Sequence, residues 1–181
     1  MKNGNIILIG MPGAGKSTLG VLLAKAKGYR FLDTDLLIQE REGRLLCEII
    51  AQEGMERFLE IEGEVNAGIQ AEHTVIAPGG SAIYSEVAMR HFAEIGTIVY
   101  LHVPVTELEK RLGDLKRRGV VLKEGQSLES LYEERRKYYE RYATVTVDVT
   151  RKEIGEILSE LIQKLQENKS NSRQICSTAE E

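Results

Sequence analysis

Cysteine, histidine and long apolar runs are all scarce in this chain of 181 residues. Its two cysteines, Cys47 and Cys176, lie far apart, and neither stands in a metal-binding spacing. They read as free thiols of a reducing compartment, not as a disulfide framework. The three histidines, His73, His91 and His102, also lack ligand spacing, so structural or surface roles are expected. No run reaches the length of a membrane span and no signal peptide opens the chain. A cytoplasmic protein without a membrane partner is expected. An excess of positive charge is missing too: 24 Lys and Arg stand against 28 Asp and Glu, a net charge of -4. That balance argues against a broad nucleic-acid surface. The remaining composition, 42% hydrophobic and 29% charged, belongs to a globular domain. The length fits one domain with a real core.

What is present alternates. Strand-like runs occur at "NIILI", "YRFLD", "HTVIA", "GTIVYLHV" and "TVTVDV". Helical patterns are expected between them, near 36–41, 45–70, 85–94, 104–115, 127–142 and 151–167. Strands alternating with helices predict an α/β fold, a five-stranded parallel sheet covered on both faces. Ligands of such sheets bind at the carboxyl ends of the strands, where the strand order reverses. The segment 168–181, "NKSNSRQICSTAEE", is polar and aperiodic and reads as a frayed tail to a domain spanning 1–167.

The first strand runs into "GMPGAGKSTLG", residues 10–20. Gly10, four residues, then Gly15-Lys16-Ser17 is the spacing of a Walker A phosphate loop, with strand before and helix after. Glycines let the backbone fold round an anion and turn N–H groups inward, and the helix N-terminus adds its positive end. Lys16 is expected to reach the terminal phosphates and Ser17 to ligate Mg2+.

Three further features bear chemistry. "FLDTD" places Asp33 and Asp35 two residues apart at the end of the second strand, where both can face the phosphate loop. One can serve Mg2+ through water while the other orients a substrate hydroxyl. Taken alone, Asp35 reads as a helix N-cap, and beside a phosphate loop the functional reading is favoured. "VIAPGGSAIY" ends a buried strand in Gly79-Gly80, which permits close approach by a ligand or makes a plain turn. The arginines Arg111, Arg117, Arg118, Arg135 and Arg136 offer planar forks for phosphate or carboxylate. Of these, Arg117 and Arg136 read as solvated. The stretch "LKRRGVVLKEGQS" is charged and aperiodic, and a lid is expected over about 115–126. Tyr132, Tyr138, Tyr139 and Tyr142 read as helix packing.

These motifs, in this order, resemble the shikimate kinases, small P-loop kinases of aromatic amino-acid biosynthesis, from about Asn5 to Leu165. The family's Asp-x-Asp is here Asp33-Thr34-Asp35, its G-E-x-x-F-R-x-x-E helix is "GMERFLEIE", and its triple glycine is Gly79-Gly80-Ser81. Arg111 follows strand four, and the family lid R-P-L-L is Arg118-Gly119-Val120-Val121. The R-x-P-x-Y-x-x-x-A-D pattern starts at Arg135.

The resemblance implies a three-layer αβα P-loop kinase fold and transfer of the ATP γ-phosphate to the 3-hydroxyl of shikimate with Mg2+. Gly10, Met11, Pro12, Gly13, Ala14, Gly15, Lys16, Ser17 and Thr18 would wrap the ATP phosphates, and Arg111 would flank the adenine. Lys16, Asp35 and Arg118 would be catalytic, with Arg118 also on ATP. Ser17 and Asp33 would serve the metal. Asp35, Gly79, Gly80 and Arg135 would hold the substrate, Arg135 through its carboxylate. One departure stands out: the family's second carboxylate-binding arginine is Leu59 here. Arg57 would point about 200° away from that position on a helix and is no substitute. ATP and a small hydroxyl-bearing molecule are the expected partners of a monomer. A kinase of another small alcohol, or a nucleotide-dependent regulatory ATPase, remains open on the residues.

Overall fold

The run Asn5–Ile9 forms the central strand, β1, buried along its whole length. The structure is a computed structural model and describes residues 4–112 and 125–177. Most of the expected lid, with Arg117 and Arg118, lies outside the described residues. Strand β1 is flanked by β3 (Thr74–Ala77) and β4 (Gly96–His102). Beyond them lie β2 (Arg30–Asp33), paired with β3, and β5 (Val145–Asp148), paired with β4. All pairings are parallel, and Ile7 lies level with Ile76 on one side and Ile98 on the other. Such a sheet has no polar face, which is why β1 and β3 carry apolar residues almost continuously.

Parallel strands need crossovers, and helices supply them. They are α1 (Lys16–Lys27), α2 (Thr34–Glu42), α3 (Leu46–Ala67), α4 (Glu86–Ile95), α5 (Val105–Leu112), α6 (Leu128–Tyr142) and α7 (Ile154–Ser177). Most of the buried side chains form one core against the sheet. The buried Asn5 ties three segments together: its amide donates to Ala71 and Ile95 carbonyls, and its Oδ1 accepts from the Thr74 N–H. A second, smaller cluster, Ile38, Ile49, Phe58 and Ile61, joins α2 to α3. The chain leaves β1 toward β2 on one side and later crosses to β4 on the other. The strand order therefore reverses beside β1, and its carboxyl end opens a crevice.

Three expectations change. The helix expected over 45–70 is broken at Gly54, whose φ of 82° and ψ of 171° interrupt α3. The polar segment after 167 is no frayed tail up to Ser177, because α7 continues through it. No proline or glycine interrupts 168–177, and helix once nucleated extends at little cost. Finally, Asp35 is not on a strand: β2 ends at Asp33 and α2 begins at Thr34.

Candidate active site

The turn from β1 to α1 is shaped by glycine. Gly13 and Gly15 have φ of 80° and 93°, a region side chains with Cβ rarely enter. Met11 and Ala14 are buried beneath the turn, at 1% exposure each, so whatever they offer a nucleotide comes from the backbone. Lys16 folds back over the loop. Its Nζ donates to the carbonyls of Gly10 at 2.9 Å and Met11 at 3.2 Å. Burial lowers this ammonium from 10.5 to about 8; Arg135 adds to the fall, while Asp35, Asp33 and Glu62 oppose it.

The end of β2 meets the start of α1. The Ser17 hydroxyl donates to Asp33 Oδ2 at 2.8 Å. The other oxygen, Oδ1, accepts from the Asp35 N–H at 3.1 Å and caps α2. The capping aspartate is thus Asp33, which frees the Asp35 side chain to enter the cleft. Burial raises the Asp35 carboxyl above its ordinary value; Asp33 adds to the rise and Lys16 opposes it.

The turn after β3 supplies the facing wall. A Cβ on Gly79 would fall 2.3 Å from Glu62 Oε1 and 3.1 Å from Asp35 Oδ1. One on Gly80 would meet Pro12 Cδ at 2.9 Å and Arg135 Nη1 at 3.0 Å. Only glycine permits this convergence. Helix α6 then fixes Arg135, which is 8% exposed. Its Nε donates to the Tyr84 hydroxyl at 3.2 Å, and its guanidinium lies 5.4 Å from the centre of the Tyr84 ring. Tyr84 in turn donates to Glu134 at 2.7 Å, and Gln126 donates to the other oxygen of Glu134 at 3.0 Å. Tyr139 stacks on Tyr100 and donates to the Gly80 carbonyl at 2.7 Å. Tyr139 therefore does more than pack.

These groups share one cleft of about 960 Å3. It brings together Pro12, Gly13, Gly15, Lys16, Ser17 and Thr18 of the loop with Asp33, Asp35, Gly79, Gly80, Arg111 and Arg135. Gly10, Met11 and Ala14 are buried behind the loop and do not line it. Arg111 is tied to the loop after β5 by a 3.3 Å bond to the Val149 carbonyl. Arg118 lies outside the described residues. Leu59 packs on the smaller core cluster and does not line the cleft. The residues sequence reasoning missed are Tyr84, Tyr139 and Glu134. Nothing in their local spacing marks them, since each acts across a tertiary contact. An apolar wall from the broken α3, including Ile50, Met55 and Phe58, closes one side.

The chain is similar to known proteins over most of its length. The shikimate kinase family model matches residues 12–166. A shikimate kinase of Mycobacterium avium is 38% identical over 162 residues, covering 88% of this chain and 92% of that protein. One of Moorella thermoacetica is 38% identical over 164 residues, covering 90% and 94%. Among solved structures, shikimate kinase from Acinetobacter baumannii in complex with shikimate superposes with a TM-score of 0.83 at 30% identity, covering 92% and 94%. With the family model spanning most of the sequence and the phosphate loop, paired aspartates and glycine turn meeting in one cleft, the chain belongs to the shikimate kinase family.

Proposed function

We propose that this protein transfers the γ-phosphoryl group of ATP to the 3-hydroxyl of shikimate, as a cytoplasmic monomer. The observation that carries the reading is the meeting of Lys16, Asp35, Gly79 and Arg135 in one cleft, phosphate side and acceptor side together. Phosphoryl transfer asks a protein mainly for positioning and charge stabilisation. Lys16 leaves the loop carbonyls for the phosphoryl oxygens and steadies the charge that develops there. Asp35 accepts a hydrogen bond from the attacking hydroxyl; its raised pKa makes it a better proton acceptor than an ordinary aspartate. Arg135, locked by Tyr84, pairs with the acceptor carboxylate. Arg111 flanks the adenine, and Arg118 reaches the transferring group. The Ser17–Asp33 pair suits Mg2+, a hard cation that takes oxygen ligands and keeps several waters. Among the described residues no group of three or more His, Cys, Asp or Glu could hold a metal. The ion would rest on Ser17, on Asp33 through water, and on the nucleotide's own phosphates, and it would neutralise phosphate charge.

A coupled assay of ADP release tests the reading, run over shikimate, other hydroxy acids, polyols and nucleotides. Shikimate should give the highest kcat/KM. A higher value for any other acceptor, or ATP hydrolysis alone, refutes the assignment.

A further inference from the structure

A second cavity lies at the opposite end of the sheet from the active-site cleft. It encloses about 720 Å3 and is lined by Gly28, Arg30, His91, Ile95 and the segment 69–73. Arg30 opens β2, His73 precedes β3 and Ile95 precedes β4, so the cavity sits at the amino ends of the strands. It shares no lining residue with the cleft.

Its walls are held by hydrogen bonds of their own. His91 Nε2 donates to the Ile69 carbonyl at 2.7 Å; that nitrogen carries the proton, because a carbonyl only accepts. The Asn5 amide holds the Ala71 carbonyl at 2.6 Å and the Ile95 carbonyl at 3.1 Å. The Thr74 hydroxyl donates to the Glu72 carbonyl at 2.9 Å, and the Arg30 N–H donates to the His73 carbonyl at 3.0 Å. The segment 69–73 is therefore fixed at both ends and in its middle, and the cavity is formed before any ligand arrives.

The polar side chains that it presents have no such bonds. Those of Arg30, Gln70 and Glu72 make no hydrogen bond or ion pair among the described residues. His73 makes only an edge-on contact with the Tyr29 ring, 5.4 Å between centres. Arg30 and Glu72 thus line one cavity with opposite charges and do not pair with each other. Three helices also end around it, α1 at Lys27, α3 at Ala67 and α4 at Ile95. The carboxyl end of a helix carries partial negative charge, which favours a cation and disfavours a bare anion. The planar fork of Arg30 favours a carboxylate.

We propose that this cavity is a second binding site, for a small zwitterion that carries a carboxylate beside an ammonium group, as an α-amino acid does. The carboxylate lies on Arg30 and His73, and the ammonium on Glu72 and the helix carboxyl ends. An ion of one sign meets one attractive and one repulsive wall. A ligand seated here leaves the cleft open, so it does not compete with ATP or the acceptor.

Thermal unfolding and calorimetric titration of the full chain test this, with each standard α-amino acid and with acetate, inorganic phosphate and methylamine as single-charge controls. At least one amino acid should raise Tm by about 3–6 °C at about ten times its Kd, and the controls should not. Arg30→Gln and Glu72→Gln should each weaken that binding roughly tenfold. Both should leave kcat and the KM for ATP unchanged, since these side chains are exposed and lie outside the cleft. The shift in Tm should persist at saturating ADP and shikimate; its loss there would put the ligand in the active site and overturn the proposal. No response to any amino acid overturns it, and so does an equal response to acetate or phosphate alone. Neither result needs a variant to fold. Binding that is unchanged in both variants overturns it as well.

Discussion

Leu59→Arg is the perturbation that bears most directly on the acceptor. On a helix of about 100° per residue, position 59 lies about 40° from Met55 and about 60° from Glu62. Both of those line the cleft, whereas Leu59 packs on the smaller core cluster of Ile38, Ile49, Phe58 and Ile61. An arginine there is long enough to leave that cluster and enter the cleft. A charge-assisted bidentate pair with the acceptor carboxylate contributes about 1.5–3 kcal/mol, or roughly tenfold to a hundredfold in KM. The guanidinium has five N–H donors, so it can also bond Glu62 while holding the acceptor. Losing the half-buried leucine costs about 1 kcal/mol of packing, which lowers Tm by roughly 2–4 °C in a chain of this size. The assay is initial-rate kinetics with shikimate at saturating ATP, alongside thermal unfolding. The expected result is a KM lower by at least tenfold, kcat within about twofold, and a small drop in Tm. A folded variant whose KM is unchanged or higher refutes the reasoning, because the carboxylate would then not lie within reach of position 59.

Other perturbations separate the parts of the site. Lys16→Ala should abolish phosphoryl transfer while leaving circular dichroism and Tm close to the unaltered chain, since Lys16 lines the cleft and its side chain holds only two loop carbonyls; near-normal turnover would remove it from the mechanism. Tyr84→Phe deletes one hydroxyl that accepts from Arg135 and donates to Glu134, and about 1 kcal/mol should appear as a roughly fivefold rise in acceptor KM, with the KM for ATP unmoved as the internal control. Glu62→Gln tests the buried carboxyl by pH. The native carboxyl sits near 7 against an ordinary 4.5, so its contribution to stability is complete below 4.5 and is lost as pH rises through 7. The glutamine variant should therefore gain on the unaltered chain between pH 5 and 8, by up to about 3 kcal/mol in urea unfolding without ligand. A difference that does not change with pH would count against a strained, buried Glu62.

The parts of this molecule that were legible in its sequence are those governed by neighbours in the chain. The phosphate loop is one: the glycine spacing, Lys16 and the flanking strand and helix are all local, and the structure forms them where expected. The five-strand alternation is another, because buried parallel strands must be apolar on both faces. The aspartates were only half legible. Which of Asp33 and Asp35 caps α2 depends on where the strand ends, and one residue decides it. Gly54 gave no warning of a break, since an isolated glycine is tolerated in many helices. Tyr84, Glu134 and Tyr139 were illegible as a network. Tyr84 meets Glu134 and Arg135 across 50 and 51 positions of chain, and Tyr139 reaches the Gly80 carbonyl across 59.

The small cluster beneath α2 and α3 has a consequence for how such an enzyme can change. Asp35 stands on one of these helices and Glu62 on the other, and Ile38, Ile49, Phe58 and Ile61 set their spacing apart from the main core. A one-methylene substitution at Ile38, Ile49 or Ile61, none of which lines the cleft, would shift the two carboxylates relative to each other without touching a ligand or the sheet. Acceptor preference thus has an adjustable support of its own. Drift among isoleucine, valine and leucine at these three isoleucine positions is a route by which descendants of this chain can acquire new alcohols while their nucleotide chemistry stays as it is.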